Sequence, residues 1–242
     1  MGLKKFISDF CDKYIFNVKW RCAVCEKEIF DGGYFCEECK AALPFNEGAI
    51  CNHCGRRLNE PAEYCSTCKE FILSPDVLRS VFVYEKPVSS LIMKLKYGGK
   101  KYIADVFAEY LANVYFKFGF DADFAVFVPM TARAERKRGF NQSKLLADKF
   151  SALTGVPLCD CVSKIKETDR QATLGREKRM TNLSGVYKIT DAGSVKGKSI
   201  VIIDDVSTTG ATAESLSHKL KKAGATKVCV LTVASVPPAH GY

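Results

Sequence analysis

Residues 200–212 read IVIIDDVSTTGAT, and few folds accommodate that order of residue types. Ile200, Val201, Ile202 and Ile203 follow one another without polar alternation, as in a short strand buried on both faces of a parallel sheet. Two adjacent acids, Asp204 and Asp205, end it. After Val206, the residues Ser207, Thr208, Thr209, Gly210, Ala211 and Thr212 make a small, hydroxyl-rich turn. It leads into a segment with Leu216, Leu220 and Ala223 on one helical face. Small residues let backbone approach an anion closely, and free N–H groups at a helix start, with threonine hydroxyls, supply donors for a phosphate. The two carboxylates would repel phosphate but suit the hydroxyls of a sugar that carries it, so the stretch reads as a ribose-5-phosphate cradle. No Lys follows the glycine as in a P-loop, and the three spaced glycines of a dinucleotide fingerprint are missing. An ordinary buried strand with a threonine-rich cap would explain the apolar run but not the paired acids.

The beginning of the chain is organised differently. Four CxxC pairs, Cys22/Cys25, Cys36/Cys39, Cys51/Cys54 and Cys65/Cys68, come in quick succession, with 10 residues between pairs inside each set of four. Two residues between cysteines let both thiolates face one cation, and two such knuckles complete a tetrahedral Cys₄ site. Structural zinc is the expectation. The most economical sets are Cys22, Cys25, Cys36, Cys39 and Cys51, Cys54, Cys65, Cys68, although a crossed pairing also satisfies the spacing. His53 lies inside a knuckle already supplied with cysteines and reads as a loop residue. Residues this poor in large aliphatics cannot fold on a hydrophobic core alone, so metal is the expected source of their stability. Cys11, Cys159, Cys161 and Cys229 fall outside the pattern and read as ordinary buried or half-buried thiols.

At 242 residues the chain holds one α/β domain plus a small appendage. The division falls near Ser74-Pro75, giving residues 1–73, an amphipathic helix (Phe6, Phe10, Tyr14) and the cysteine repeats, and residues 77–242. The formal charge of +9 is uneven: residues 1–76 carry 10 basic and 12 acidic side chains, residues 77–242 carry 26 and 15. A basic second part favours phosphorylated partners, whether a small ligand or nucleic acid. Charges interrupt the first twenty residues and no apolar run spans a bilayer, so a cytoplasmic protein without membrane insertion is expected.

Along the second part, a strand over residues 79–84 precedes a helix marked by Val88, Leu91, Ile92 and Leu95 and stopped at Gly98-Gly99. A second helix carries Ile103, Phe107, Leu111 and Val114. A buried strand over 124–128 then runs into PMTARAERKRGFNQS, read as a basic loop at the carboxyl end of a strand, where open α/β sheets bind ligands. Leu145, Leu146, Phe150 and Leu153 mark a helix, and 162–165 a strand. Residues 166–185 form a long polar stretch of the kind that serves as a lid. The phosphate-cradle strand, its helix to Lys222 and a last strand over 228–233 complete an alternation that predicts a parallel sheet.

IVIIDDVSTTGAT resembles the 5-phosphoribosyl-1-pyrophosphate (PRPP) signature of type I phosphoribosyltransferases. With the cysteine ribbons, YEKPVSSLIMKLKYGGK, VPMTARAERKRGFNQS and TDRQATLGREKRMTNLSGVY in this order, nearly the whole chain resembles ComF-type competence proteins, also called amidophosphoribosyltransferase-like. RGFNQS is the most specific element. The resemblance implies an α/β, parallel-sheet phosphoribosyltransferase-like domain behind a double zinc ribbon. It implies that Asp204 and Asp205 hold ribose hydroxyls and that Ser207, Thr208, Thr209, Gly210, Ala211 and Thr212 hold the 5-phosphate. Met130, Thr131, Ala132 and Arg133 would form the pyrophosphate loop, with Mg²⁺ bridging ligand oxygens. The stretch 166–185 would be a hood whose Arg170 and Arg179 neutralise the leaving pyrophosphate. Purine-type relatives carry an acid where this chain has Thr208, and threonine cannot serve as a general base near neutral pH. Purine salvage is therefore not implied.

Two functions from different classes follow. One is an enzyme that transfers a phosphoribosyl group from PRPP to an acceptor. The other is a protein of DNA uptake and natural transformation that keeps the pocket without catalysis. It would touch single-stranded DNA through Arg136, Lys137 and Arg138 and work with a helicase-like ATPase. A zinc-ribbon scaffold with a vestigial pocket is the blandest alternative.

Overall fold

The computed structural model describes residues 21–30, 32–70, 73–166 and 185–237. The cysteine-rich part contributes two short helices, α1 (Glu37–Ala41) and α2 (Ser66–Glu70). Next come β1 (Val77–Val83), α3 (Val88–Tyr97), α4 (Ile103–Lys117), β2 (Phe124–Phe127), α5 (Ala132–Arg138) and α6 (Gln142–Thr154). The chain continues through β3 (Val162–Lys164), β4 (Tyr187–Ile189), α7 (Ala192–Val195), β5 (Ser199–Ser207), α8 (Ala211–Lys222) and β6 (Lys227–Ser235).

Four strands form a sheet in the order β1-β6-β5-β2, parallel throughout. Because side chains alternate across a strand, the unbroken apolar run of β5 supplies both faces. Val201 and Ile203 pack with Phe127, Leu231, Leu91, Phe107, Leu146 and Phe150 under α3, α4 and α6. Ile200 and Ile202 pack with Val126, Val230, Leu216 and Leu220 under α8. Each such fully buried side chain contributes about 1.5–3 kcal/mol.

The connections matter for the site. After β2 the chain goes by α6 to the first face, whereas after β5 it goes by α8 to the second. β2 and β5 are neighbours, so their carboxyl ends open at a topological switch point, where sheets of this kind bind ligands.

The cysteine-rich segment covers the exposed edge of β1. Asn46 N donates to Val81 O at 2.9 Å, Val83 N to Pro44 O at 2.8 Å, and Leu78 N to His53 O at 3.0 Å. Gly55 makes the closest approach. Its φ is +62°, and a Cβ there would lie 2.4 Å from Leu78 O, so only glycine fits. The Asn46 side-chain amide closes the seam, donating to Gly55 O at 2.7 Å and Ser80 O at 3.2 Å.

Two expectations are corrected. The basic run is not a loop: Ala132–Arg138 is the helix α5, whose N-cap Thr131 accepts from Ala134 N at 3.2 Å. Ala, Arg, Glu and Lys are good helix formers, and three basic residues in the last turn complement the helix dipole. The strand over 162–165 does not join the parallel sheet. It pairs antiparallel with β4, which follows directly on the polar stretch and lacks an apolar pattern of its own. The N-terminal amphipathic helix lies outside the described residues, as does nearly all of the polar stretch.

Candidate functional site

The acids at the end of β5 point to opposite faces of the strand, and their surroundings differ. Asp204 lines a cavity with Val128, Ser207, Thr208, Gly210 and Thr212, a concavity of about 310 Å³ of empty space including open solvent. Its Oδ1 accepts from Ser143 Oγ at 2.7 Å and from Asp205 N at 2.9 Å. Burial, and then the negative charge of Asp205, push the Asp204 carboxyl up to about 7, against the pull of the Ser143 hydrogen bond. Asp205 is only 5% exposed. It is ion-paired with Lys96 Nζ, and its Oδ1 accepts from Gln142 Nε2 at 3.3 Å.

Those partners come from two elements that converge on the carboxyl edge. Asn141 caps α6, its Oδ1 accepting from Ser143 N at 2.9 Å and Lys144 N at 3.3 Å. Its Nδ2 donates to Val128 O at 3.0 Å, which fixes the first turn of α6 to the end of β2 and sets Gln142 and Ser143 against the acids. Lys96 comes from the last turn of α3. Arg138 extends the network outward. Its Nη1 donates to Gln142 Oε1, and its Nη2 donates to the Tyr97 hydroxyl at 3.3 Å, with the guanidinium carbon 5.1 Å from the Tyr97 ring centre.

The hydroxyl-rich turn bends through Gly210 at φ +78°, and α8 begins at the next residue. Free N–H groups at that start, with the hydroxyls around them, form a surface suited to an anion. The hydroxyl of the buried Tyr187 is kept protonated by burial and by the nearby charge of Asp204. Thr209 differs from its neighbours. It lines a second concavity behind the turn, with Arg56, Cys54 and Leu73, and accepts from Ala211 N at 3.4 Å.

Met130, Thr131, Ala132 and Arg133 span the turn from β2 into α5, at the same edge as Asp204. Met130 Sδ lies 3.7 Å from Arg138 Nη1. Arg133, Arg136 and Lys137 are exposed on α5, whereas Arg138 is half-buried in the network just described. Arg170 and Arg179 lie outside the described residues. Lys96, Gln142, Ser143, Tyr97 and Tyr187 were not singled out from sequence. Their strings carry the family resemblance, but a lysine one turn from an apolar stripe, or a glutamine after a cap, announces no role until the fold brings it to the acids.

The cysteines gather as two sets, Cys22, Cys25, Cys36, Cys39 and Cys51, Cys54, Cys65, Cys68, with every sulfur within 4.8 Å of the others in its set. The pairing is therefore sequential. Cys25 and Cys36, and likewise Cys54 and Cys65, place their sulfurs 3.7 Å apart. Four ligands at ~2.3 Å in a tetrahedron stand about 3.8 Å from one another, so both sets fit structural Zn²⁺. Cys161 and Cys229 are buried, with thiols pushed up to about 12 and about 11 by desolvation, and read as inert packing.

Comparison with known proteins finds a family for the cysteine-rich part and another for the sheet. The double zinc ribbon domain family matches residues 16–69 and the phosphoribosyl transferase domain family residues 103–241. Competence protein F of Haemophilus influenzae is 27% identical over 220 residues, covering 88% of this chain and 89% of its own length. Competence protein ComFC of Bacillus subtilis is 28% identical over 234 residues, with 92% of each chain covered. DNA utilization protein YhgH of Escherichia coli is 29% identical over 215 residues, covering 86% of this chain and 87% of its own. With a parallel sheet, an acid pair and a hydroxyl-rich turn at the switch point, the chain belongs to the phosphoribosyl transferase domain family, as a double-zinc-ribbon homologue of the ComF, ComFC and YhgH proteins.

Proposed function

We propose that this protein binds PRPP with Mg²⁺ and transfers its phosphoribosyl group to an acceptor. One observation carries the reading: Asp204, Ser207, Thr208, Gly210 and Thr212 converge on a single cavity at the switch point. Donors for a phosphate and an acceptor for a sugar's hydroxyls line that one cavity. Ser207, Thr208, Gly210, Ala211 and Thr212 receive the 5-phosphate, with Thr209 supporting the turn from behind, and Asp204 receives the ribose hydroxyls while Asp205, paired with Lys96, backs it from the other face of the strand. Met130, Thr131, Ala132 and Arg133 receive the pyrophosphate, and Arg170 and Arg179 neutralise its charge. A hard cation fits beside Asp204, a carboxylate oxygen whose ionisation a divalent charge would favour. Bound there, Mg²⁺ would neutralise pyrophosphate charge. We take residues 1–73 as the ribbon unit, 77–242 as the transferase-like unit and the cytoplasm as the compartment. Among the described residues no helix is long and apolar enough to cross a membrane.

A second reading is favoured by the relatives' names, which refer to competence and DNA utilization, and by the cations exposed on α5. In it the pocket binds or senses PRPP while Arg136, Lys137 and Arg138 contact single-stranded DNA handled with a helicase-like ATPase. Pyrophosphate release separates the two. Purified protein is incubated with PRPP, Mg²⁺ and a panel of amines, bases and single-stranded DNA. Acceptor-dependent release supports the enzyme. PRPP binding without release throughout the panel supports the second reading, and no PRPP binding removes both.

A further inference from the structure

The back of the phosphate turn is held by the zinc ribbon. Arg56, two residues after the ligand Cys54, reaches across 152 positions of sequence, and its Nη2 donates to Thr208 O at 2.6 Å. The contact is not an isolated surface bond. The knuckle that carries Arg56 is fixed on β1 by His53 O and by the close approach of Gly55 to Leu78 O. The segment leaving the ribbon is fixed on α8, since Ser74 Oγ donates to Glu214 Oε1 at 2.6 Å and Ser74 N donates to the same carboxylate. Leu73 reaches the turn itself, its Cδ1 lying 3.2 Å from where a Cβ on Gly210 would stand. The second concavity, lined by Cys54, Arg56, Cys68, Ser207 and Thr209, is the seam between them.

A carbonyl in a phosphate-binding turn must point away from the anion so that the N–H groups point toward it. The Arg56 guanidinium holds the Thr208 carbonyl in that sense, and a charged donor makes a strong hydrogen bond. We propose that Arg56 is a positioning residue for the phosphate turn, and that through it the second Cys₄ site, Cys51, Cys54, Cys65 and Cys68, is coupled to ligand affinity. The inference rests on the cradle reading given above. Coupling is reciprocal: a ligand that needs the turn ordered retains the zinc that orders it. The first site, Cys22, Cys25, Cys36 and Cys39, has no such bond to the turn among the described residues.

The test compares wild type with Arg56→Ala and Arg56→Lys at full zinc content. Amide exchange of residues 206–212 in the ligand-free protein is faster in Arg56→Ala and recovers in part in Arg56→Lys. Ribose-5-phosphate, titrated calorimetrically, binds about tenfold more weakly to Arg56→Ala. Ribose-5-phosphate slows the release of one zinc of the two to a chelator in wild type, and fails to do so in Arg56→Ala. Exchange and affinity both unchanged in Arg56→Ala, with Thr212→Ala still weakened, would overturn the proposal and leave the cradle standing. Faster exchange in Arg56→Ala with no ribose-5-phosphate binding even in wild type would keep the positioning role but overturn the coupling together with the cradle.

Discussion

Asp204 and Asp205 are adjacent, yet their environments give them different work. Asp205 is ion-paired with Lys96 inside the protein, while Asp204 faces the cavity with its carboxyl pushed up to about 7 by burial and by the charge of Asp205. That value lies above the ~3.9 of an unfolded aspartate. Asp204 therefore favours the fold fully below about pH 4, and this contribution is lost as pH rises through about 7. Asp204→Asn should remove that dependence, so that thermal melting at pH 8 gains on wild type relative to pH 5. An ionised Asp204 accepts hydroxyl donors better, so ribose-5-phosphate affinity should rise from pH 6 to 8 in wild type by more than in Asp204→Asn. Calorimetry on both proteins, in which phosphate titration cancels, checks this. Lys96→Met strands a carboxylate that is 5% exposed. Because Lys96 keeps 20% of its side chain in solvent, the loss should be at the low end for buried pairs, about 3 kcal/mol in urea unfolding. Asp204 was legible because an acid pair after an apolar run is rare. Lys96 was not, since its α3 shows only an apolar stripe until α3 meets β5.

At the scale of elements, the alternation of apolar runs revealed every strand of the parallel sheet and the helices α3, α4, α6 and α8. The elements that escaped are short or polar. α5 was hidden because charges dominate it, although Thr131, Ala132 and Ala134 are cap and helix formers. β4 was hidden because three residues carry no period. The correction changes what α5 is expected to do. A helix separates its cations by direction, and Arg136 and Lys137 face solvent while Arg138 reaches Gln142 and Tyr97. Replacing Arg136 and Lys137 with alanine should flatten the log–log salt dependence of single-stranded DNA binding by up to about 1.4 units, two phosphates at about 0.7 each. Arg138→Ala should act on the pocket, weakening ribose-5-phosphate binding through Gln142 and Asp205. If Arg138→Ala instead reduces the DNA slope and leaves the pocket intact, all three cations belong to one DNA surface.

At the scale of the whole molecule, the described residues form a parallel sheet whose β1 edge is covered by a cysteine-rich segment with two Cys₄ sets that fit zinc. Protein purified without chelator should hold two Zn²⁺ per chain by elemental analysis, and none would remove the ribbon reading. Gly55→Ala, with φ +62° and a Cβ 2.4 Å from Leu78 O, should cost about 2 kcal/mol or more, seen as a lower urea midpoint. The cysteine spacing made both Cys₄ sets legible, but the seating of the second on the hydroxyl-rich turn arises from contacts 152 residues apart that no local pattern encodes. The central claim is that a ribose phosphate sits between Asp204 and Thr212. Isothermal calorimetry of Mg²⁺-PRPP against wild type, Thr212→Ala and Asp204→Ala tests it most directly. A hydrogen bond to a charged ligand contributes on the order of 1.5–3 kcal/mol, so Thr212→Ala should bind about ten- to a hundredfold more weakly with its zinc content unchanged. Undiminished affinity in both variants would place the ligand elsewhere and contradict the account.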